Sequence, residues 1–196
     1  MKMMKNAIVA QSGGPTTAIN ASLAGVIKGC LESNEIDVLY GARNGVEGLM
    51  DERLVNLTEI FENNEENLKV LKGTPSMYLG SCRRKLKDIN RDSSEYDNIV
   101  EIFRKYNIRY FFYIGGNDSM DTVGKMSMYV KKHQMDVKVI GIPKTIDNDL
   151  VVTDHTPGFG SAARYVAASI LEMAHDTYIY NTRSVLIAEI MGRDAG

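Results

Sequence analysis

The chain has 196 residues, of which 44% are hydrophobic and 24% charged, with 4 prolines and a formal net charge of −2. These fractions belong to a globular protein and exclude disordered, collagen-like and mucin-like classes. A charge near zero also lacks the basic footprint with which duplex-binding proteins neutralise phosphates, so nucleic acid is not an expected partner.

At about 150 residues per domain the length suits one large domain, or one domain and part of a second. The first eleven residues hold two lysines and only Ala7 to Ala10 as an apolar run, too short for a signal-peptide core. No wholly apolar run approaches the length of a membrane span, so no membrane partner is expected. With two cysteines in 196 residues, a cytoplasmic setting is the expectation.

Taken in chain order, Ala7 to Ala10 reads as a short buried strand that runs into Gln11-Ser12-Gly13-Gly14-Pro15-Thr16-Thr17. Ile19, Leu23, Val26, Ile27 and Leu31 then share one helix face, on which Cys30 also sits as a core thiol. Ile36 to Tyr40 reads as the second strand. From Asp51 to Arg91 no clear period emerges. Glu59, Glu62, Glu65 and Glu66, mixed with three asparagines, look like a solvated helix or loop, Gly73-Thr74-Pro75 marks a turn, and Cys82 reads as an incidental loop thiol.

Period returns with Ile99, Ile102, Phe103 and Tyr106 on one helix face. A strand from Tyr110 to Ile114 runs into Gly115-Gly116-Asn117-Asp118-Ser119, and one from Val137 to Ile142 into Pro143-Lys144-Thr145-Ile146-Asp147-Asn148-Asp149. Phe159, Ala162, Ala163, Val166, Ala167, Ile170, Leu171 and Ala174 step along a helix without a miss, and Val185 to Ile190 reads as a last strand. Strands apolar on both faces, alternating with amphipathic helices, imply an α/β fold with a layered parallel sheet covered on both sides.

In open α/β sheets ligands bind beyond the carboxyl ends of the strands. Two of those ends carry Gly-Gly turns that let backbone N–H groups approach an anion at a helix N-terminus. The third holds Lys144, Thr145, Asp147 and Asp149, which supply a phosphate cation, a hydroxyl, a base and a metal carboxylate: the parts of a phosphoryl-transfer site. Rival motifs fail. No G-x-x-x-x-G-K-[ST] occurs, and Gly158-Phe159-Gly160-Ser161-Ala162-Ala163 follows Asp154-His155-Thr156-Pro157 instead of a strand, so it reads as a helix start. His133, His155 and His175 lie too far apart in sequence for a zinc motif.

Six motifs now stand in order: Ser12-Gly13-Gly14-Pro15, Gly80-Ser81-Cys82-Arg83, Gly115-Gly116-Asn117-Asp118-Ser119, Pro143-Lys144-Thr145-Ile146-Asp147-Asn148-Asp149, Pro157-Gly158-Phe159-Gly160-Ser161 and Met191-Gly192-Arg193. In this order they resemble the 6-phosphofructokinase family. The resemblance implies a Rossmann-like phosphofructokinase fold, here truncated to its N-terminal half. Residues 1–150 would form an incomplete lobe for the phosphoryl donor and Mg2+, and residues 151–196 the start of the fructose 6-phosphate lobe.

Carried over position by position, the resemblance makes Asp147 the general base for the sugar 1-hydroxyl and places Thr145 on the transferred group. Asp149 and Asn117 stand at the Mg2+ positions, although the family commonly has Asp where this chain has Asn117. A carboxamide oxygen ligates a hard cation without adding charge. Gly14, Arg83, Ser119 and Lys144 match donor-binding positions. Thr145, Ile146, Asp147, Met191, Gly192 and Arg193 match substrate positions, and Arg183 resembles an arginine that reaches substrate across a subunit interface in a homo-oligomer.

Donor choice rests on Asp118 and Lys144. ATP-dependent members usually have Gly at the first position and many have Gly at the second, so both residues resemble the pyrophosphate-dependent branch. A carboxylate at Asp118 would meet the α-phosphate of a nucleotide. Like charges about 4 Å apart, at an effective dielectric near 20, repel by about 4 kcal/mol, roughly a thousandfold in affinity. The expected reaction is transfer of phosphate from pyrophosphate to the 1-hydroxyl of fructose 6-phosphate, giving fructose 1,6-bisphosphate. An ATP-dependent 6-phosphofructokinase and a catalytically incomplete phosphate-binding fragment are the alternatives.

Overall fold

Strand β1 (Asn6–Gln11) is buried at every residue after Asn6, as a run apolar on both faces requires of a central strand. It pairs in parallel with β2 (Leu39–Ala42) on one side and β4 (Ile108–Gly115) on the other. Beyond β4 lies β5 (Lys138–Pro143), also parallel, while the short β3 (Leu54–Asn56) closes the far edge antiparallel to β2. The order is β3-β2-β1-β4-β5 in a computed structural model that describes residues 5–190.

The connections after β1 and β4 carry the chain to opposite faces of this sheet. Helix α1 (Thr17–Leu31) follows β1, and its Ile19, Leu23, Ile27 and Cys30 pack on Ala7 and Val9. α3 (Leu57–Phe61) and α4 (Glu65–Gly73) complete that face. On the other face α2 (Gly45–Met50), α5 (Ser94–Lys105) and α6 (Asn117–Lys132) cover Ile8, Ala10, Phe111 and Tyr113. Phe103 meets Phe111 with ring centroids 5.4 Å apart, and Phe111 meets Tyr113 at 5.7 Å. Each fully buried aromatic is worth about 1.5–3 kcal/mol over an exposed one. Strand order reverses between β1 and β4, and in a doubly wound sheet the carboxyl ends of the strands at such a point are the usual ligand position.

Two compact units divide the chain, Met1–Lys144 and Thr145–Gly196. The second is built on α7 (Phe159–Tyr178), which starts at Gly158 with φ +103°, the glycine-rich helix start expected from the sequence.

Several expectations need correction. β2 spans Leu39–Ala42 instead of Ile36–Tyr40, because its register on β1 pairs Ala7 with Leu39 and Ala10 with Ala42. The stretch from Asp51 to Arg91 holds one strand and two helices, all between Leu54 and Gly73: Asn56 and Asn64 cap α3 and α4 by accepting the amides of Glu59 and Asn67, while Leu57, Phe61, Leu71 and Leu79 are buried. Its glutamates are exposed as expected, with Glu65 and Glu66 complementing the α4 dipole. Cys82 lies in a loop but is buried among core residues.

Within the first unit the sheet is also not fully covered on both sides. Tyr110, Phe112, Ile140 and Ile142 line an open groove of about 580 Å³ beside α1. Val185–Ile190 forms no strand. Val185 and Ile187 are largely exposed, and an apolar run becomes a strand only where a neighbour takes up its backbone hydrogen bonds. The amphipathic α7 likewise buries no side chain. Among the described residues no helix is long and apolar enough to cross a membrane.

Candidate functional site

In the first unit three loops meet around Gly13 and Gly14. The first leaves β1 at Gln11 and turns at Gly13, where φ is +86°, before α1 begins. The second, residues 80–88, has no regular structure and is tied to the first by two hydroxyls: Ser81 Oγ donates to the Gly13 carbonyl at 2.7 Å, and Ser12 Oγ to the Cys82 carbonyl at 3.2 Å. The third follows β4. A Cβ added at Gly13 would stand 3.3 Å from the Gly116 amide nitrogen, and one at Gly115 only 2.6 Å from the Ser12 carbonyl, so side chains are excluded where the loops touch.

Lys144 closes the arrangement from the end of β5. Its amide donates to the Gly115 carbonyl at 2.8 Å and its ammonium to the Gly14 carbonyl at 2.6 Å, and the residue is buried. A cation held at a Gly-Gly turn, with the N-termini of α1 and α6 adjoining, makes a cradle for phosphate oxygens. Thr16, the N-cap of α1, adds a buried hydroxyl that has no hydrogen-bond partner among the described residues.

Behind the cradle sits a buried amide pair that the sequence reading overlooked. Gln11 Nε2 donates to Asn20 Oδ1 at 3.1 Å, and Gln11 Oε1 accepts from the Leu79 amide at 2.9 Å. Asn20 in turn accepts from the Tyr78 amide at 2.9 Å and donates to the Thr74 carbonyl at 2.9 Å. These bonds hang the segment before Gly80 on β1 and α1. The signal was a glutamine ending an otherwise apolar strand, where a buried amide demands partners.

The 80–88 loop has a second anchor in Glu95, in the first turn of α5. Its buried carboxylate accepts from Arg84 Nε at 3.0 Å, Arg84 Nη2 at 2.5 Å and the Lys87 amide at 2.9 Å. Burial pushes this carboxyl up, but the Lys87 amide and the Arg84 guanidinium outweigh burial and hold it below the ordinary glutamate range. Tyr96 donates to the Lys87 carbonyl at 2.6 Å, and Lys125 to the Leu86 carbonyl at 3.2 Å. Arg83 is exposed between the buried Cys82 and the tethered Arg84.

The donor-side residues expected from the sequence therefore share one place. Gly14, Lys144 and Asn117 belong to the meeting loops, and Asp118 extends from the first turn of α6 to Lys85, 2.9 Å away. Ser119 lies deeper: it is buried, and its hydroxyl would be 2.2 Å from a Cβ on Gly115, so it backs the turn.

In the second unit, Thr145, Ile146, Asp147 and Asp149 lie on one loop. The Asp147 amide donates to Thr145 Oγ1 at 3.1 Å, which fixes the backbone under the carboxylate. Thr156 Oγ1 donates to the Thr145 carbonyl at 2.7 Å, and Asn148 Oδ1 accepts from the Thr156 amide at 3.0 Å, closing the loop on itself. Thr145 is buried, Asp147 half-buried and Asp149 exposed. Arg183 is exposed in the irregular segment after α7, while Met191, Gly192 and Arg193 lie outside the described residues.

Comparison with known proteins gives this arrangement a lineage. The phosphofructokinase family model matches residues 6–196. The pyrophosphate–fructose 6-phosphate 1-phosphotransferase of Halomonas elongata is 43% identical over 194 residues, covering 97% of this chain and 46% of that protein. An ATP-dependent 6-phosphofructokinase of Actinobacillus pleuropneumoniae is 33% identical over 198 residues, covering all of this chain and 55% of that protein. The solved pyrophosphate-dependent phosphofructokinase of Nitrosospira multiformis superposes with a TM-score of 0.79 at 44% identity, over 88% of this chain and 42% of that one. The chain thus spans about half the length of the pyrophosphate-dependent relatives it matches, and by the family model, the identities and the superposition it belongs to the phosphofructokinase family.

Proposed function

We propose that this chain carries the donor-binding portion and the catalytic loop of an enzyme that passes a phosphoryl group from pyrophosphate to the 1-hydroxyl of fructose 6-phosphate. The observation that carries the reading is the meeting of three loops on Gly13 and Gly14 with Lys144 bonded to the Gly14 carbonyl. Gly14, Lys144 and Arg83 grip the two phosphates. The names of the relatives at 41–45% identity support pyrophosphate as donor.

In this mechanism the Asp147 carboxylate takes the proton from the sugar 1-hydroxyl as its oxygen attacks the terminal phosphorus. The bond from phosphorus to the bridging oxygen breaks, and inorganic phosphate leaves with the bonding pair. The Thr145 turn supplies the position of this carboxylate, which is where much of the rate of such reactions originates. Thr145, Ile146, Met191, Gly192, Arg193 and Arg183 hold the sugar phosphate, the last from a neighbouring subunit of the full-length homo-oligomer.

The donor set suits Mg2+. Asn117 and Asp149 offer oxygen ligands only, and no group of three or more His, Cys, Asp or Glu residues able to hold a metal occurs among the described residues. Carboxamide and carboxylate oxygens are the ligand type that a hard cation would take. When bound, Mg2+ neutralises charge on the donor's phosphates. A cytoplasmic setting, where sugar phosphates are available, completes the reading.

Calorimetric titration of the chain with pyrophosphate and with ATP, each with Mg2+, tests the donor. Pyrophosphate is expected to bind at least about a hundredfold more tightly, from the charge Asp118 places against a nucleotide. Equal or tighter ATP binding would overturn the assignment. A coupled assay for fructose 1,6-bisphosphate, repeated on Asp147→Ser, tests the base.

A further inference from the structure

The carboxylate that discriminates against ATP raises a difficulty for pyrophosphate, because a fixed negative charge beside the donor site repels any polyanion. The structure holds a counter-charge. Lys85 Nζ lies 2.9 Å from Asp118 Oδ1. We infer that Lys85 is the positioning and charge-balancing partner of Asp118: it cancels the carboxylate's long-range repulsion of pyrophosphate while leaving the carboxylate where a nucleotide's next phosphate would have to go. The inference rests on the donor reading above and deepens it.

Three relationships carry it. First, the pair joins two segments that already flank the Gly13–Gly14 turn. The loop bearing Lys85 is bonded to that turn through Ser81 and Ser12, and the segment bearing Asp118 touches it at Gly116. The Lys85–Asp118 contact completes the circuit, so the ion pair lies on the margin of the cradle.

Second, Lys85 is held in place from behind. Arg84 on one side and the Lys87 amide on the other are both bonded to Glu95, and Leu86 is buried with its carbonyl accepting from Lys125. The backbone under Lys85 is therefore set independently of Asp118, and the reach of its side chain is directed.

Third, both side chains are 65% exposed. Exposed ion pairs add little to fold stability because water screens them and two long side chains lose freedom. A polyanion entering the cradle displaces that water, and the charges of the pair then act on the ligand at lower effective dielectric. The consequence of the pair is thus on donor binding. Asp118 acts at short range by occupying space and charge, whereas the summed charge of the pair, felt by the whole donor, is zero.

The test is a charge cycle on the intact chain, read as pyrophosphate and ATP affinity by calorimetry with Mg2+, with urea unfolding alongside. Lys85→Met is expected to weaken pyrophosphate by about tenfold or more, as one uncompensated charge near a polyanion should. Adding Asp118→Asn to Lys85→Met is expected to return the affinity to within about threefold of wild type, because the site is neutral again. Lys85→Arg is expected to stay near wild type, and the urea midpoint to hold throughout.

If the double variant stays as weak as Lys85→Met, Lys85 grips the donor directly and the inference is overturned. A fall in the urea midpoint that tracks the loss of affinity overturns it in favour of a structural role. The donor reading fails separately, when the wild-type chain prefers ATP; the cycle is then read on ATP, where rescue by Asp118→Asn still supports the pairing and its absence refutes it. A chain that binds neither ligand overturns both.

Discussion

The Lys144 ammonium donates to the Gly14 carbonyl across 2.6 Å, joining the end of β5 to the turn after β1, residues 130 apart in sequence. The same residue bonds the Gly115 carbonyl through its amide, so one side chain and one backbone group hold two glycine turns together. Lys144→Met removes the cation and the donor to Gly14. Pyrophosphate affinity should fall by at least about tenfold, and stability by about 1–3 kcal/mol, the cost of a buried polar group losing a partner. Calorimetry and urea melts check the two effects separately.

The buried amides of Gln11 and Asn20 act as one unit, since each orients the other while both hold the backbone between Thr74 and Leu79. Gln11→Ala and Asn20→Ala should each cost about 1–3 kcal/mol. The double variant should cost less than the sum by about 0.5 kcal/mol or more, because the second loss strikes a network already broken. Additive losses would show that the two amides work independently.

Glu95 gives the chain a defined response to acid. Its folded carboxyl binds its proton less tightly than the unfolded one, so the unfolded state takes up more protons below about pH 4.5. The stabilisation is complete at pH 7 and disappears as pH falls through the folded value. Glu95→Gln should destabilise by about 1–2 kcal/mol at pH 7, with Arg84's partial exposure limiting the figure, and the gap to wild type should close toward pH 3. Urea midpoints at pH 7, 4.5 and 3 measure it; a gap constant with pH would contradict the assignment.

Two glycines should respond with opposite signs to the same substitution. Gly115→Ala forces a Cβ to within 2.6 Å of the Ser12 carbonyl, a backbone atom that cannot step aside without moving the first loop, and should cost about 1–3 kcal/mol along with donor binding. Gly124→Ala, in the middle of α6 with open space around it, should gain up to about 1 kcal/mol. Thermal melts of both variants make the comparison.

Much of the first unit was legible in the sequence because its strands are apolar on both faces and its longer helices keep a strict period. Ile99, Ile102, Phe103 and Tyr106 reported α5 because their i, i+3, i+4, i+7 spacing shares one face only on a helix. The segment around Asn56 and Asn64 was opaque for a physical reason: a helix of fewer than three turns buries one or two side chains, too few to set a period, and its asparagine caps read equally well as loop residues. Val185 to Ile190 misled in the opposite direction, since composition specifies a strand's preference and a neighbouring strand supplies its hydrogen bonds. At the site, Gly14, Lys144 and Asp118 stood in motifs. Lys85 and Glu95 stood in none, because a charge that balances another is recognisable only once the two loops are side by side.

Every buried apolar residue described in the chain lies between Ala7 and Val137, although regular structure continues through Tyr178. Heat capacity registers that imbalance, because the step on unfolding counts apolar surface newly wetted and not helix lost. At about 12–15 cal/mol/K per residue, a fully cored chain of this length would show a step of about 2.6 kcal/mol/K, and one cored only through Lys144 about 1.9. A scanning calorimeter should therefore weigh this chain as a molecule some fifty residues lighter than its sequence.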